Sequence, residues 1–221
     1  RRQRQMCIRD RNYNDITFDF LNEKIKKDKD VVILTAGTPG AFSLTPERRL
    51  QLGQNYVDVG IAEEHAVAMA SALAKGGCKP VFCVWSSFVQ RTYDQLSQDL
   101  AINNNPAVIL VFAGAISGMD VTHLGSFDIP LISNIPNIVC LAPADKEEYL
   151  AMLNWGLEQR EHPVVIRVPL EVSSAALPVE RDYGVLNRYQ VVRRGSGVAV
   201  LALGSFFGLG LSLIHISEPT R

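Results

Sequence analysis

The sequence predicts an α/β domain with a mostly parallel six-stranded sheet and helices on both faces. Three observations predict it: short β-branched runs alternate with longer helical patterns, six such runs can be counted, and the helical stretches between them begin at recognisable caps. The strands are expected at Val31–Thr35, Tyr56–Val59, Pro80–Trp85, Ala107–Phe112, Ile138–Leu141 and Val164–Val168.

Between the first two strands, Thr45 precedes Pro46, a cap followed by proline at the first helical position. A second helix begins near Ala62, where Ala62, Ala66, Ala70 and Ala74 stack into one small-residue stripe that lets another backbone approach closely. That stripe packs either on the sheet of its own domain or on a neighbouring domain or subunit. Ser87 with Gln90, and Asp145 with Glu148, have the spacing of capping boxes.

Beyond the sixth strand the periodicity breaks over Ser173–Tyr183, and a linker is expected at residues 173–187. Two strand-like runs follow, Tyr189–Val192 and Val198–Leu203, read as the start of a second domain over residues 188–210. The two ends are unlike the rest. Arg1–Asp10 and Leu211–Arg221 resemble translations of the ends of a transposase-type sequencing adapter, so residues 1–11 and 211–221 are expected to be scars around a piece, residues 12–210, of a longer gene.

The chain of 221 residues has 22 basic and 23 acidic side chains and a formal charge of −1. Without its two ends it keeps 16 basic against 21 acidic residues, a charge of −5, so the arginine-rich start is no argument for nucleic acid. No apolar run approaches the roughly 18 residues that span a bilayer, no signal peptide is visible, and a cytoplasmic protein is expected. Cys7, Cys78, Cys83 and Cys140 lack disulfide or metal-ligand spacing and are expected to be reduced and mostly buried.

Ligands of open parallel sheets bind beyond the carboxyl ends of the strands. Four segments lie there: Gly60–His65, Ser86–Arg91, the glycine-rich Gly114–Gly125 with His123, and Arg167. Each has an ordinary structural explanation. Glu63 and Glu64 suit the first turn of any helix, Arg91 has Asp94 or Glu64 as a pairing choice, Arg167 has Glu171, and Gly114, Gly118 and Gly125 lack phosphate-loop spacing. Their shared sheet edge is what raises them as a group.

Three ordered motifs, Asp58-Val59-Gly60-Ile61-Ala62-Glu63-Glu64-His65, Ser86-Ser87-Phe88-Val89-Gln90-Arg91 and Thr122-His123-Leu124-Gly125-Ser126-Phe127-Asp128, together resemble the 1-deoxy-D-xylulose-5-phosphate synthases, transketolase-like enzymes that use thiamine diphosphate. The resemblance implies a transketolase-like pyrimidine-binding domain over residues 12–172 and the start of that family's C-terminal domain at 188–210. It implies that Glu63 and His123 are catalytic, that Glu63, Phe88 and Ile61 bind the cofactor, and that Arg91, Arg167, Trp85 and Asp120 bind substrate. Glu63 would face the aminopyrimidine. A desolvated carboxyl at the ring nitrogen favours the imino form whose nitrogen takes the thiazolium proton. Guanidinium forks suit the acceptor phosphate.

Magnesium would be held by an upstream domain, with no metal ligand in this chain. Pyruvate and glyceraldehyde 3-phosphate would be the substrates, and a homodimer without nucleic-acid or membrane partners the assembly. The chain departs from the family in having Glu64 for glutamine, Trp85 for tyrosine, Val111-Phe112 for Asp-Arg, and a loop aspartate, Asp120, displaced by one position. Competing readings are a transketolase, a 2-oxoacid dehydrogenase subunit, or a non-catalytic partner subunit, against which the retained Glu63 argues.

Overall fold

The computed structural model describes residues 12–114, 122–173, 183–184 and 189–216. Six strands, β1 (Val31–Thr35), β2 (Tyr56–Asp58), β3 (Lys79–Trp85), β4 (Val108–Phe112), β5 (Val139–Leu141) and β6 (Val164–Arg167), form one sheet in the order β2-β1-β3-β4-β6-β5. Every neighbouring pair is parallel, where a mostly parallel sheet was expected. Each strand falls within a residue or so of its expected position. Near-continuous apolar runs are what a sheet covered on both faces requires.

Helices α1 (Tyr13–Lys27) and α5 (Lys146–Glu158) cover one face, where Leu21, Ile25, Tyr149 and Leu153 pack on Ile33, Val81, Leu110 and Ile166. Helix α3 (Glu63–Lys75) covers the other, with Ala66, Val67 and Ala70 against Leu34, Phe82 and Ile109. Adjacent strand residues thus feed opposite cores, the period-2 rule of the pleat. The alanine stripe is therefore committed to the chain's own sheet, the first of its two expected uses. Short helices α2 (Pro46–Leu52) and α4 (Asp128–Ser133) complete the layers.

Caps explain where the helices start. Thr45 accepts from the Arg48 amide ahead of Pro46, and Asp145 accepts from the Glu148 amide while Glu148 takes the Ala144 amide. Asn12 caps α1, a start the sequence reading did not mark. The expected box at Ser87 does not form. Phe88 precedes a 3₁₀ turn, Val89–Thr92, which continues through Tyr93–Gln95 into a π-helical Leu96–Ala101, and no side chain caps it. The 3₁₀ start has no row of i−4 bonds for a serine to complete.

Tyr189–Val192 and Val198–Leu203 form no strand. No strand of the described residues runs beside them, and an unpaired strand has no ladder to stabilise it; Leu201 is 91 % exposed. A 3₁₀ turn, Gly204–Phe206, leads into α6 (Phe207–Ile216), so a helix crosses residue 211, where the adapter-like end was expected to begin. Of the three described cysteines, Cys83 is buried, Cys78 half-buried and Cys140 exposed, all free, which corrects the expectation of mostly buried thiols for these three. Cys7 and Asp120 lie outside the described residues. No helix of the described residues is long and apolar enough to cross a membrane.

Candidate active site

The sheet order places a switch point between β1 and β3. The chain leaving β1 packs Phe42 and Leu44 on the α1 face, while the chain leaving β3 packs Val89 and Leu96 on the α3 face. Diverging connections mark this point of the carboxyl edge as the usual ligand position in such sheets.

Glu63 is the first residue of α3, behind Ala62, which offers no side-chain cap. Its carboxylate is favoured by the helix dipole, yet the residue is only 3 % exposed. Oε2 has no directed hydrogen bond. The Arg91 Nη1 lies 3.1 Å away as an ion-pair partner outside hydrogen-bond geometry, and Arg91 Nε lies 3.5 Å from Glu64 Oε1. Of the pairing choices open to Arg91 in the sequence, the structure adopts Glu64 and adds Glu63. A buried acceptor oxygen without a donor is costly unless a ligand supplies one.

Trp85 ends β3, and a turn closed by the Phe88 amide on the Trp85 carbonyl, 2.9 Å, brings Phe88 over the same edge. His123 meets both rings edge-on, at 6.4 Å from Trp85 and 5.6 Å from Phe88. Its Nδ1 lies 2.8 Å from Thr122 Oγ1. The three aromatic side chains expected to contact cofactor or substrate are thus one cluster.

Arg167 closes β6 and donates from Nε to Asp128 Oδ2 at 2.7 Å and from Nη2 to the Gly125 carbonyl at 3.4 Å. Asp128 is 1 % exposed. The arginine is therefore tied to the start of α4, with Asp128 in place of the expected alternative, Glu171. Gly114 leaves room for it: a Cβ there would stand 3.3 Å from Arg167 Cβ. The preceding Ala113 has φ of 55°, a left-handed conformation costly for a residue with a Cβ. Val111 and Phe112, which replace the family's Asp-Arg, are core residues here, Phe112 packing on Phe42 at 5.0 Å.

Ile61 stands out at 76 % exposed, above Gly37. The loop that carries it is held by Asp58. Oδ1 accepts from the amides of Gly37 and Gly60 at 3.0 and 2.8 Å, and Oδ2 faces the hydroxyls of Thr35 and Tyr56 at 3.0 and 3.3 Å; these bond each other at 2.7 Å, so one of them donates to the carboxylate. Burial pushes the carboxyl up, but the Gly60 and Gly37 amides and the Thr35–Tyr56 hydroxyl pair outweigh it and hold Asp58 below the ordinary aspartate range. Neither this role nor that of Asp128 was read from the sequence. An aspartate two residues before a glycine is a turn-forming pattern, whereas nothing local reveals the partner of Asp128, 39 residues from Arg167.

Residues 11–172 match the family described as transketolase, pyrimidine binding domain. The chain belongs to that family. Among curated relatives of the family, 1-deoxy-D-xylulose-5-phosphate synthase of Heliobacterium modesticaldum is 37 % identical over 208 residues, 93 % of this chain and 32 % of the relative. The protein of the same name from Azoarcus sp. strain BH72 is 35 % identical over 203 residues, covering 91 % and 32 %. The chain thus spans about a third of the length of these relatives. A transketolase from Pichia stipitis shares the fold with a TM-score of 0.79 at 16 % identity, over 93 % of this chain and 32 % of that one. A split gene transketolase, an inactive β4 tetramer, does so with 0.76 at 20 % identity, over 93 % and 66 %.

Proposed function

We propose that this pyrimidine-binding domain belongs to a thiamine diphosphate-dependent 1-deoxy-D-xylulose-5-phosphate synthase, which condenses pyruvate with glyceraldehyde 3-phosphate and releases carbon dioxide. The observation that carries the reading is the Glu63 oxygen, buried at the sheet's carboxyl edge and without a hydrogen bond. Such an acceptor fits a ring nitrogen that shares a proton with it. When bound, thiamine diphosphate supplies a thiazolium carbon acid and, on its pyrimidine, the amino group that deprotonates it.

Glu63 holds the proton shared with the pyrimidine nitrogen, and its burial keeps water from competing for that proton. Phe88 offers a ring face to the pyrimidine and Ile61 an apolar edge. His123 is assigned proton transfer at substrate oxygens, a role its contacts with Trp85 and Phe88 support. Arg91 and Arg167 bind the acceptor phosphate as charge-assisted donors, with Trp85 at the pyruvate side. Asp120, outside the described residues, is assigned to the acceptor by resemblance alone.

The division into an adapter-derived 1–11, the domain 12–172, a linker 173–187, the start of a C-terminal domain 188–210 and a second adapter-derived 211–221 belongs to the same proposal. So do magnesium, held by ligands of an upstream domain, a homodimer and a cytoplasmic location. Among the described residues no group of three or more His, Cys, Asp or Glu side chains is placed to hold a metal ion.

The test is an assay of the full-length gene product with pyruvate and a panel of aldehydes. Deoxyxylulose 5-phosphate and stoichiometric carbon dioxide are the expected products. Turnover of ketose phosphates without carbon dioxide would assign a transketolase instead, and no turnover with any donor would favour the non-catalytic subunit.

A further inference from the structure

Asp58 is not among the residues assigned to cofactor or substrate, yet two amides and a hydroxyl pair converge on it from β1, β2 and the two loops that follow them. Oδ1 collects two backbone amides, Gly37 N and Gly60 N, and Oδ2 takes one proton from the Thr35–Tyr56 hydroxyl pair, whose oxygens lie 2.7 Å apart, so one hydroxyl donates to the other and the other to Asp58. Both glycines lie in the left-handed region, at φ of 72° and 73°, so both loops turn sharply where their amides meet the carboxylate. The loops also interlock. A Cβ on Gly37 would stand 2.8 Å from Ile61 Cγ1 and 3.1 Å from Ile61 N, so any other residue at 37 would push Ile61 and its backbone aside. One peptide further, the Ala62 amide donates to the Gly60 carbonyl at 2.8 Å, and the next residue is Glu63 at the start of α3.

We infer that Asp58 is a positioning residue: by clasping Gly37 to Gly60 it fixes the height of Ile61 and the point at which α3 begins, and through that point the place of the Glu63 carboxyl. Its functional half rests on the reading of Glu63 proposed above, whereas its structural half does not. Glu63 cannot be held by a cap of its own, because Ala62 has none to give. A misplacement of about 1 Å at a catalytic group is enough to cost orders of magnitude in rate, so a clasp three to five residues away is part of the site's geometry. The group facing Asp58 that titrates is Tyr56, whose phenol is pushed up by burial and stays a neutral donor while Asp58 changes charge.

Hydrogen exchange by NMR on this chain tests the structural half. Asp58→Ala is expected to raise exchange at the Gly37, Gly60 and Ala62 amides by about tenfold or more, with the β4 amides unchanged. Asp58→Asn keeps an oxygen at the Oδ1 place, and hydroxyls can reverse to accept from its amide, so protection there is expected to return. In the parent, lowering the pH should move the Gly37 and Gly60 amide shifts with the Asp58 carboxyl signal, at one midpoint below the ordinary aspartate value; this reading does not need Asp58→Ala to fold. Unchanged protection in Asp58→Ala, loss in Asp58→Asn equal to that in Asp58→Ala, or amide shifts that ignore the carboxyl would each overturn the clasp.

In the full-length enzyme Asp58→Ala should lower kcat about a hundredfold while leaving KM for the phosphorylated acceptor within a few-fold, since Arg167, held by Asp128, stands apart from the clasp even though Arg91 pairs with Glu63. A parallel loss in KM would overturn the positioning role. An intact clasp in an enzyme that proves to run other chemistry would instead count against the proposed function.

Discussion

The Arg91 guanidinium sits 3.1 Å from the buried Oε2 of Glu63, and on its other side 3.5 Å from Glu64. One arginine assigned to substrate phosphate is thus also the counter-charge of the glutamate assigned to the cofactor. Because its side chain is half exposed and that of Glu63 is not, removing the arginine strands a buried charge. Arg91→Ala should therefore destabilise this chain by about 1–2 kcal/mol in urea unfolding, and Glu63→Gln should abolish most of that loss. An equal cost in both backgrounds would show that the pair contributes nothing.

In the full-length enzyme the same substitution should weaken use of a phosphorylated acceptor by about 1.5–3 kcal/mol in kcat/KM beyond whatever loss unphosphorylated aldehydes share through Glu63. Equal losses with both classes would remove Arg91 from the phosphate site.

Arg167 and Asp128 are both nearly inaccessible, with side chains 11 % and 1 % exposed. Asp128→Ala should cost about 3 kcal/mol of stability, because it leaves a desolvated guanidinium without its partner. Asp128→Asn keeps an acceptor and should cost less, about 1–2 kcal/mol. Urea unfolding of the two variants checks the order; a harmless Asp128→Ala would mean the pair is not a structural tie.

How much of this was legible depends on whether the cause is local. The six strands, and the caps at Thr45 and Asp145, follow from short-range periodicity and from side chains bonding amides three residues away. The gathering of Glu63, Phe88, Arg91, His123 and Arg167 at one edge follows from strand order and was expected. What stayed hidden was pairing: Arg167 found Asp128, and Arg91 took Glu63 as well as Glu64, because choices among carboxylates of one sign are decided by which elements pack together. Ser87 misled for a different reason, since capping-box spacing does not say whether an α-helix or a 3₁₀ turn follows. The runs at Tyr189–Val192 and Val198–Leu203 have strand composition, but a strand forms only beside another.

The opposite edge of the sheet carries a charge network that sets an acid limit. Lys79 Nζ lies 2.8 Å from Asp28 and 3.1 Å from Glu158, and Lys24 lies 3.0 Å from Glu158. Asp28 is held below its ordinary value chiefly by the hydrogen bond from Lys79, and Glu158 chiefly by that from Lys24. Lowered folded values mean that the unfolded chain binds protons more readily, so the contribution is complete above about pH 4–5 and fades as pH falls through the folded values. The groups are partly exposed, so the sum should be about 1 kcal/mol or less. Stability of Lys79→Met should therefore fall less steeply than that of the parent between about pH 5 and pH 3. Parallel pH curves would show that Lys79 does not set the values of these acids.

In the proposed function Glu63, and not the adjacent Glu64, activates the cofactor. Glutamine at 63 keeps the shape and a hydrogen-bonding end but cannot hold the shared proton. The next side chain along a helix points about 100° away, so Glu64→Gln should leave that proton in place. Proton–deuterium exchange at the thiazolium carbon, followed in the full-length protein loaded with thiamine diphosphate and magnesium, reads the step without any acceptor. Exchange slowed by orders of magnitude is expected in Glu63→Gln and a near-parent rate in Glu64→Gln; exchange as fast as the parent in Glu63→Gln, or a slow Glu64→Gln, would contradict the role of Glu63.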